Sequence, residues 1–190
     1  MEQSKYGLIL FIFLAMPPVA YILESVMALH MHMQMPMLVI AGLLMARFFQ
    51  IRFPQFFEKW NQNGIPGILL FIIIIVFWMM PRTMDEALTE LSVEIFKFIS
   101  LPFLAGVPLR DSWKKLSEKI KNGVIILFTV LFLLMGWLYI YSPVQLCNNY
   151  LQIEQITLGW AFITTSIGLV VYLIYITVVD RSKYEIGNNE

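Results

Sequence analysis

The sequence predicts an all-α, polytopic transmembrane helical bundle of about six spans with both termini in the cytoplasm, and three observations predict it. Hydrophobic residues fill 59% of the 190 positions and charged residues only 14%, against about 25% charged in soluble chains. The apolar stretches are long and do not alternate, so in lipid their backbone groups are satisfied as helices and not as barrel strands. Lys and Arg, finally, gather in alternate connecting segments, which is the positive-inside pattern.

Residues 6–23 make the first span. It is interrupted by Pro17 and Pro18, which a membrane helix tolerates where neighbours re-satisfy the freed carbonyls. The same stretch has the shape of a signal peptide, with Lys5 as its basic region; because the chain keeps Met1, it is read as a retained anchor. Residues 25–46 form the second span. Between 47 and 64, Arg47, Arg52 and Lys59 mix with five phenylalanines and Trp60, a composition suited to lying in the interface. Residues 65–80 are a third span, short for a hydrocarbon core that needs about 20 residues. The fourth, 85–107, is the least apolar because it holds Glu86, Glu90, Glu94 and Lys97, while 122–141 and 155–179 are the fifth and sixth. These spans form one domain over residues 1–180, followed by a polar cytoplasmic tail, 181–190.

Placement of charge orients the bundle. Lys5, the second connecting segment, the fourth (Arg110, Lys114, Lys115, Lys119, Lys121) and the tail (Arg181, Lys183) carry eleven of the thirteen basic residues. Net charge is zero, so nothing points to nucleic acid. The single cysteine, Cys147, excludes an intrachain disulfide and a multi-cysteine metal site, and is read as a small buried or loop residue. No nucleophile elbow, HExxH motif, histidine cluster or phosphate-binding glycine pattern is present, so the chain is not read as an enzyme by itself.

Two polar rows stand out inside the spans. Around the second, Glu24 to Met45 holds both histidines and Met27, Met31, Met33, Met35 and Met37. On a regular helix Met27, Met31 and Gln34 lie within about 60° of arc, with Glu24 and His30 at the margins and His32 pointing away. Imidazole and thioether suit copper, the soft thioether favouring the cuprous ion, so Met27, His30, Met31 and Gln34 are the candidate metal site. The alternatives are methionine as flexible apolar filler and His30 bonding across the bundle; a haem held by His30 and a methionine is a further one. In the fourth span Glu86, Glu90, Glu94 and Lys97 form a stripe about 80° wide, expected to face the bundle interior because charge is costly in lipid. Glu90, Glu94 and Lys97 are read as an intramembrane ion network: a Glu94–Lys97 pair serving packing, a proton path, or outer support for a metal.

The run MALHMHMQMPMLVIAG, preceded by PPVAYILES, resembles the CtaG-type membrane proteins, through the pattern M-x-x-H-M followed by glutamine at Met27, His30, Met31 and Gln34. The resemblance covers about 25 residues. It implies a role in assembling haem–copper oxidases and in handling copper. In that family's pattern a second histidine follows the glutamine directly, where this chain has Met35, and the later spans add no histidine.

The expected function is therefore that of a non-catalytic, multi-pass protein of the cell membrane that handles copper for, or helps assemble or belongs to, a copper-containing membrane oxidoreductase. Its partners would be the lipid bilayer and other subunits of that complex. A purely structural accessory subunit without its own metal is the alternative, and a small proton-coupled carrier using Glu90 and Glu94 is a third class. Orientation is directly testable: a membrane-impermeant thiol reagent on intact cells should spare a cysteine placed at Lys115 and reach the segment around Cys147. The reverse labelling would invert the bundle.

Overall fold

The computed structural model describes residues 2–179, and all regular structure among them is helical. The expected tail, 181–190, lies outside the described residues. Helices α1 (Glu2–Ala15) and α2 (Pro17–Glu24) meet at 70°. Met16 between them is extended, because the ring of Pro17 drives the residue before it out of the helical region. Helix α3 runs from Met27 to Arg52. A short α4 (Pro54–Trp60) then turns through 87° into α5 (Ile65–Met79). Gly64 makes that corner with φ 74°, a left-handed conformation that suits glycine. Helices α6 (Pro81–Thr89), α7 (Leu91–Trp113), α8 (Glu118–Tyr141) and α9 (Gln152–Val178) follow.

Helices α3, α7, α8 and α9 are long and apolar enough to cross a membrane, and α1–α2 and α4–α5 bring the number to six if each bent pair is one span. An all-α membrane bundle is what the hydrophobic pattern requires, and it is what forms. The fourth span differs from expectation. Residues 85–107 are not one helix: Glu90 is extended (φ −114°, ψ 111°), closing α6 and starting α7, which continues to Trp113. Asp85 holds α6 to the α8–α9 connection, accepting bonds from the Asn149 amide at 3.0 Å and the Asn148 side chain at 3.1 Å.

Two spans contain a π-helical segment. In α3 it is His30–Gln34, where the Met35 N–H reaches the His30 carbonyl; in α7 it is Ser100–Gly106, where the Val107 N–H reaches that of Pro102. Pro36 follows the first and Pro102 lies in the second, and a proline cannot close the ordinary turn, so a wider one takes its place. One extra residue per turn rotates everything beyond it, which a wheel drawn at 100° per residue does not show.

Helix α3 packs against α1 and α7, α7 packs against α5, and α8 and α9 form an antiparallel pair that meets the others mainly where α9 crosses the Met27–Gln34 end of α3. The core runs through Leu14, Leu38, Ile74, Trp78, Leu101, Ala105, Leu158 and Phe162. Where α3 and α7 cross, backbone touches backbone: a Cβ on Gly42 would stand 2.0 Å from the Pro102 carbonyl oxygen, and one on Gly106 2.3 Å from that of Val39.

Hydrogen bonds gather the connections into two ends. At one, Arg110 donates to Gln3 and to the Leu43 carbonyl, and Lys115 to Asp111 and the Asn61 carbonyl. Buried Asn61 also bonds Asp111 (2.6 Å), Ser112 (3.0 Å) and the Gly67 amide (3.0 Å). At the other end, residues around Glu24, Pro81–Asp85 and Cys147–Leu151 come together. The first is the basic end and the second is poor in Lys and Arg while holding Glu24, Asp85 and Glu86, so the alternation of Lys and Arg along the sequence becomes a separation in space.

Gly42→Ala should force α3 and α7 apart and cost about 1–3 kcal/mol, the usual penalty for overpacking. Gly123→Ala and Gly168→Ala, whose added carbons meet nothing within 4 Å, should be neutral or stabilising. Thermal unfolding of the three variants in detergent checks the contrast.

Candidate functional site

Lys97 is fully buried, on α7. Because the chain restarts its helix at Leu91, Lys97 lies about 9 Å along α7, half the depth expected of an unbroken helix from Asp85. It therefore meets groups at the end opposite the basic one. Its Nζ donates to Glu24 Oε1 at 2.5 Å and to His30 Nε2 at 3.3 Å, and it lies 4.8 Å from the centre of the Phe98 ring. Glu24 is the last residue of α2, with 14% of its side chain exposed. Gln34, also fully buried, donates to the same carboxylate oxygen at 3.1 Å.

The protons in this cluster can be placed. The Tyr150 hydroxyl donates to the Glu24 carbonyl at 2.7 Å, which leaves its oxygen to accept from His30 Nδ1 at 2.9 Å. His30 thus carries its proton on Nδ1 and offers the lone pair of Nε2 to Lys97. Burial, with Glu24 nearby, holds the Tyr150 hydroxyl well above its ordinary pKa, so it stays a donor. Beside it in the connection, burial pushes the Cys147 thiol up to about 11, and its Sγ faces the Pro81 carbonyl. Gln145 binds the carbonyls of Cys147 and Tyr150, and Glu154 takes the Leu151 amide at 3.0 Å while its other oxygen reaches the Met27 amide at 3.4 Å.

The structure brings together some of the residues singled out in the sequence and separates others. His30 and Gln34 join Glu24 and Lys97. Met27 and Met31 are buried, the latter with its sulfur 4.0 Å from the Tyr139 hydroxyl. His32 lies apart: its Nε2 is 2.9 Å from Thr165 Oγ1 on α9, and its ring meets Phe162 edge-on. Thr165 spends its own proton on the Ala161 carbonyl, so His32 is the donor.

The Glu–Lys stripe is corrected. Glu94 is not the ion-pair partner of Lys97; Glu24 is, from another helix, and Glu94 adds only a longer-range attraction. Glu86 pairs with Arg82 at the surface (2.8 Å), and Glu90 sits exposed at the helix break. Extended backbone at Glu90 takes the two upstream glutamates off the face that carries Lys97. Tyr150 and Glu154 were missed because nothing in their local sequence ties a connecting residue to a histidine 120 positions earlier.

Whether these donors fit a cation is decided by Lys97. Both ring nitrogens of His30 are engaged, and an ion on Nε2 would have to take the position of an ammonium 3.3 Å away. The Gln34 carbonyl oxygen, by contrast, is buried with no partner among the described residues. The set fits a soft cation only with Lys97 withdrawn. Compared with known proteins, the chain matches no family model, no curated protein and no solved structure.

Lys97→Met or Glu24→Gln alone should lower stability by about 3–5 kcal/mol by leaving an unpaired buried group, whereas the double change should cost clearly less than the sum. Glu94→Gln should stay within about 1 kcal/mol. Denaturation in detergent gives all four values.

Proposed function

We propose that the chain is a non-catalytic protein of the cell membrane that works as an accessory or assembly component of a larger membrane oxidoreductase. One observation carries the non-catalytic part. The cluster around Lys97 spends its lysine, carboxylate, imidazole and phenol on one another, which fits a polar lock between α2, α3, α7 and the α8–α9 connection better than a reaction centre. The oxidoreductase part rests on the resemblance of Met27, His30, Met31 and Gln34 to the CtaG pattern.

Copper handling is the second reading, and a specific feature favours it. The Lys97 ammonium is shared by a carboxylate oxygen and an imidazole nitrogen, beside a glutamine whose oxygen has no partner among the described residues. That is a seat a monovalent cation would find acceptable if the lysine left it.

Purification in mild detergent, with the bound subunits identified by mass spectrometry and metal content measured, separates the two. The first reading expects oxidoreductase subunits and no stoichiometric copper. Under the second, cuprous ion binds the parent, binds more tightly to Lys97→Met, and is lost in His30→Ala but not in His32→Ala. Gln34→Ala would then weaken binding by about 10–100-fold, as for groups that orient a metal ligand. Neither oxidoreductase subunits nor copper would overturn both.

A further inference from the structure

A cavity of about 320 Å³ opens at the basic end between the start of α1 and the last turns of α3, with Phe103 of α7 at its back. Its walls are Leu8, Phe11, Met45, Phe48 and Phe103. Its rim carries Lys5 and Arg47. These belong to the eleven basic residues whose distribution places this end in the cytoplasm, at the level of the lipid headgroups.

The polar groups at the rim are underused. Lys5 makes one exposed ion pair with Glu2, its side chain remaining 67% exposed. Arg47 makes no ion pair or hydrogen bond among the described residues. The Ser4 hydroxyl, which also lines the cavity, is buried and has no partner among the described residues. Lys5, Arg47 and an unpaired hydroxyl thus line an apolar shaft that no described side chain fills.

We propose that this cavity binds one anionic glycerophospholipid of the cytoplasmic leaflet. The phosphate lies between Lys5 and Arg47, Ser4 donates its hydroxyl proton to a phosphate or ester oxygen, and an acyl chain descends past Leu8 and Phe11. Each part of such a lipid meets the matching chemistry. Guanidinium and ammonium groups recognise phosphate oxygens, basic pockets between spans on the cytoplasmic side are the usual seat of anionic headgroups, and an apolar shaft open to the bilayer is filled most favourably by a hydrocarbon chain. Among the described residues no carboxylate lines the cavity itself; Glu2, which pairs with Lys5 at the exposed rim, has to yield that pair to the phosphate. The bound lipid would tie α1 to α3 at the end opposite the Lys97 cluster.

Native mass spectrometry of the full chain, released from detergent micelles and titrated with dioleoyl phosphatidylglycerol, dioleoyl phosphatidylcholine or dioleoylglycerol, tests this. One phosphatidylglycerol should bind at least about tenfold more tightly than either other lipid. Lys5→Gln with Arg47→Gln should abolish that preference, and Ser4→Ala should weaken it. Lys119→Gln with Lys121→Gln, which removes equal charge elsewhere on the basic end, should leave it intact. Leu8→Trp, filling the shaft, should block binding while the surface charge is unchanged. Because Lys5 and Arg47 are exposed, their variants should unfold at the parent's temperature, and the same preparations report this. Equal affinity for the three lipids would overturn the proposal. So would an equal loss in the Lys119 and Lys121 variant, which would reduce the effect to general attraction between basic surface and acidic lipid.

Discussion

The constraint on which the half of the molecule opposite the basic end depends is the presence of an ammonium group with no access to solvent. Removing Lys97 from water costs several kcal/mol, and attraction to a single carboxylate offsets that only with good geometry and further hydrogen bonds. The neighbouring structure supplies both. Glu24 is delivered by α2, whose 70° bend from α1 carries it over the bundle end, and Gln34 and Tyr150 hold the two ends of that residue, side chain and carbonyl. His30 gives Lys97 a second acceptor, and its tautomer is fixed by a tyrosine from the far connection. Three separate segments, α2, α3 and the α8–α9 connection, thus converge around one lysine of α7.

Helix breaks make this convergence possible. A straight fourth span from Asp85 would sink Lys97 about 18 Å from its end, out of reach of a residue at the end of α2. Extended backbone at Glu90 restarts the helix and raises the lysine by half that depth. The π segment His30–Gln34 acts on the opposite wall, adding a residue to the turn and bringing His30 and Gln34 both into the cluster. Such segments recur at functional sites, and here one lies at the crossing of α3 with α9.

Much of the fold was legible in the sequence because it follows from hydropathy, which is local. The apolar runs became the long helices, and Pro17–Pro18 marked the α1–α2 bend. Segregation of Lys5, Arg47, Arg110 and Lys115 from Glu24 and Cys147 became two ends of one bundle. The site was legible only in part. His30, Gln34 and Lys97 were recognisable as polar residues too costly to leave in lipid. Their partners were not, because the i, i+3 and i, i+4 rules that paired Glu94 with Lys97 hold only on an unbroken helix. Glu24 and Tyr150 are joined to the site by tertiary structure, and each comes from a helix end or a connection, where periodicity carries no information.

The layer between the two ends bears on what kind of function the fold can support. Below the Lys97 cluster the midsections of α3, α5 and α7 meet through Leu38, Val39, Ile74, Leu101 and Ala105, with the Trp78–Ser100 hydrogen bond (2.8 Å) as a polar contact in that region. At the basic end, polar contacts resume with Gln50, Asn61, Asp111 and Lys115. Proton transfer needs donors and acceptors in succession, and among the described residues an indole bonded to a hydroxyl between apolar side chains, Phe77 and Phe96 among them, does not by itself link the two clusters. Of the glutamates that a proton-coupled carrier would use, Glu90 is exposed and Glu94 is not bonded to Lys97. Two polar assemblies hold the helix ends while leaving the long faces of α8 and α9 apolar and exposed. Those faces are available to lipid or to other apolar helices, which is the feature of the fold that the proposed accessory role would use.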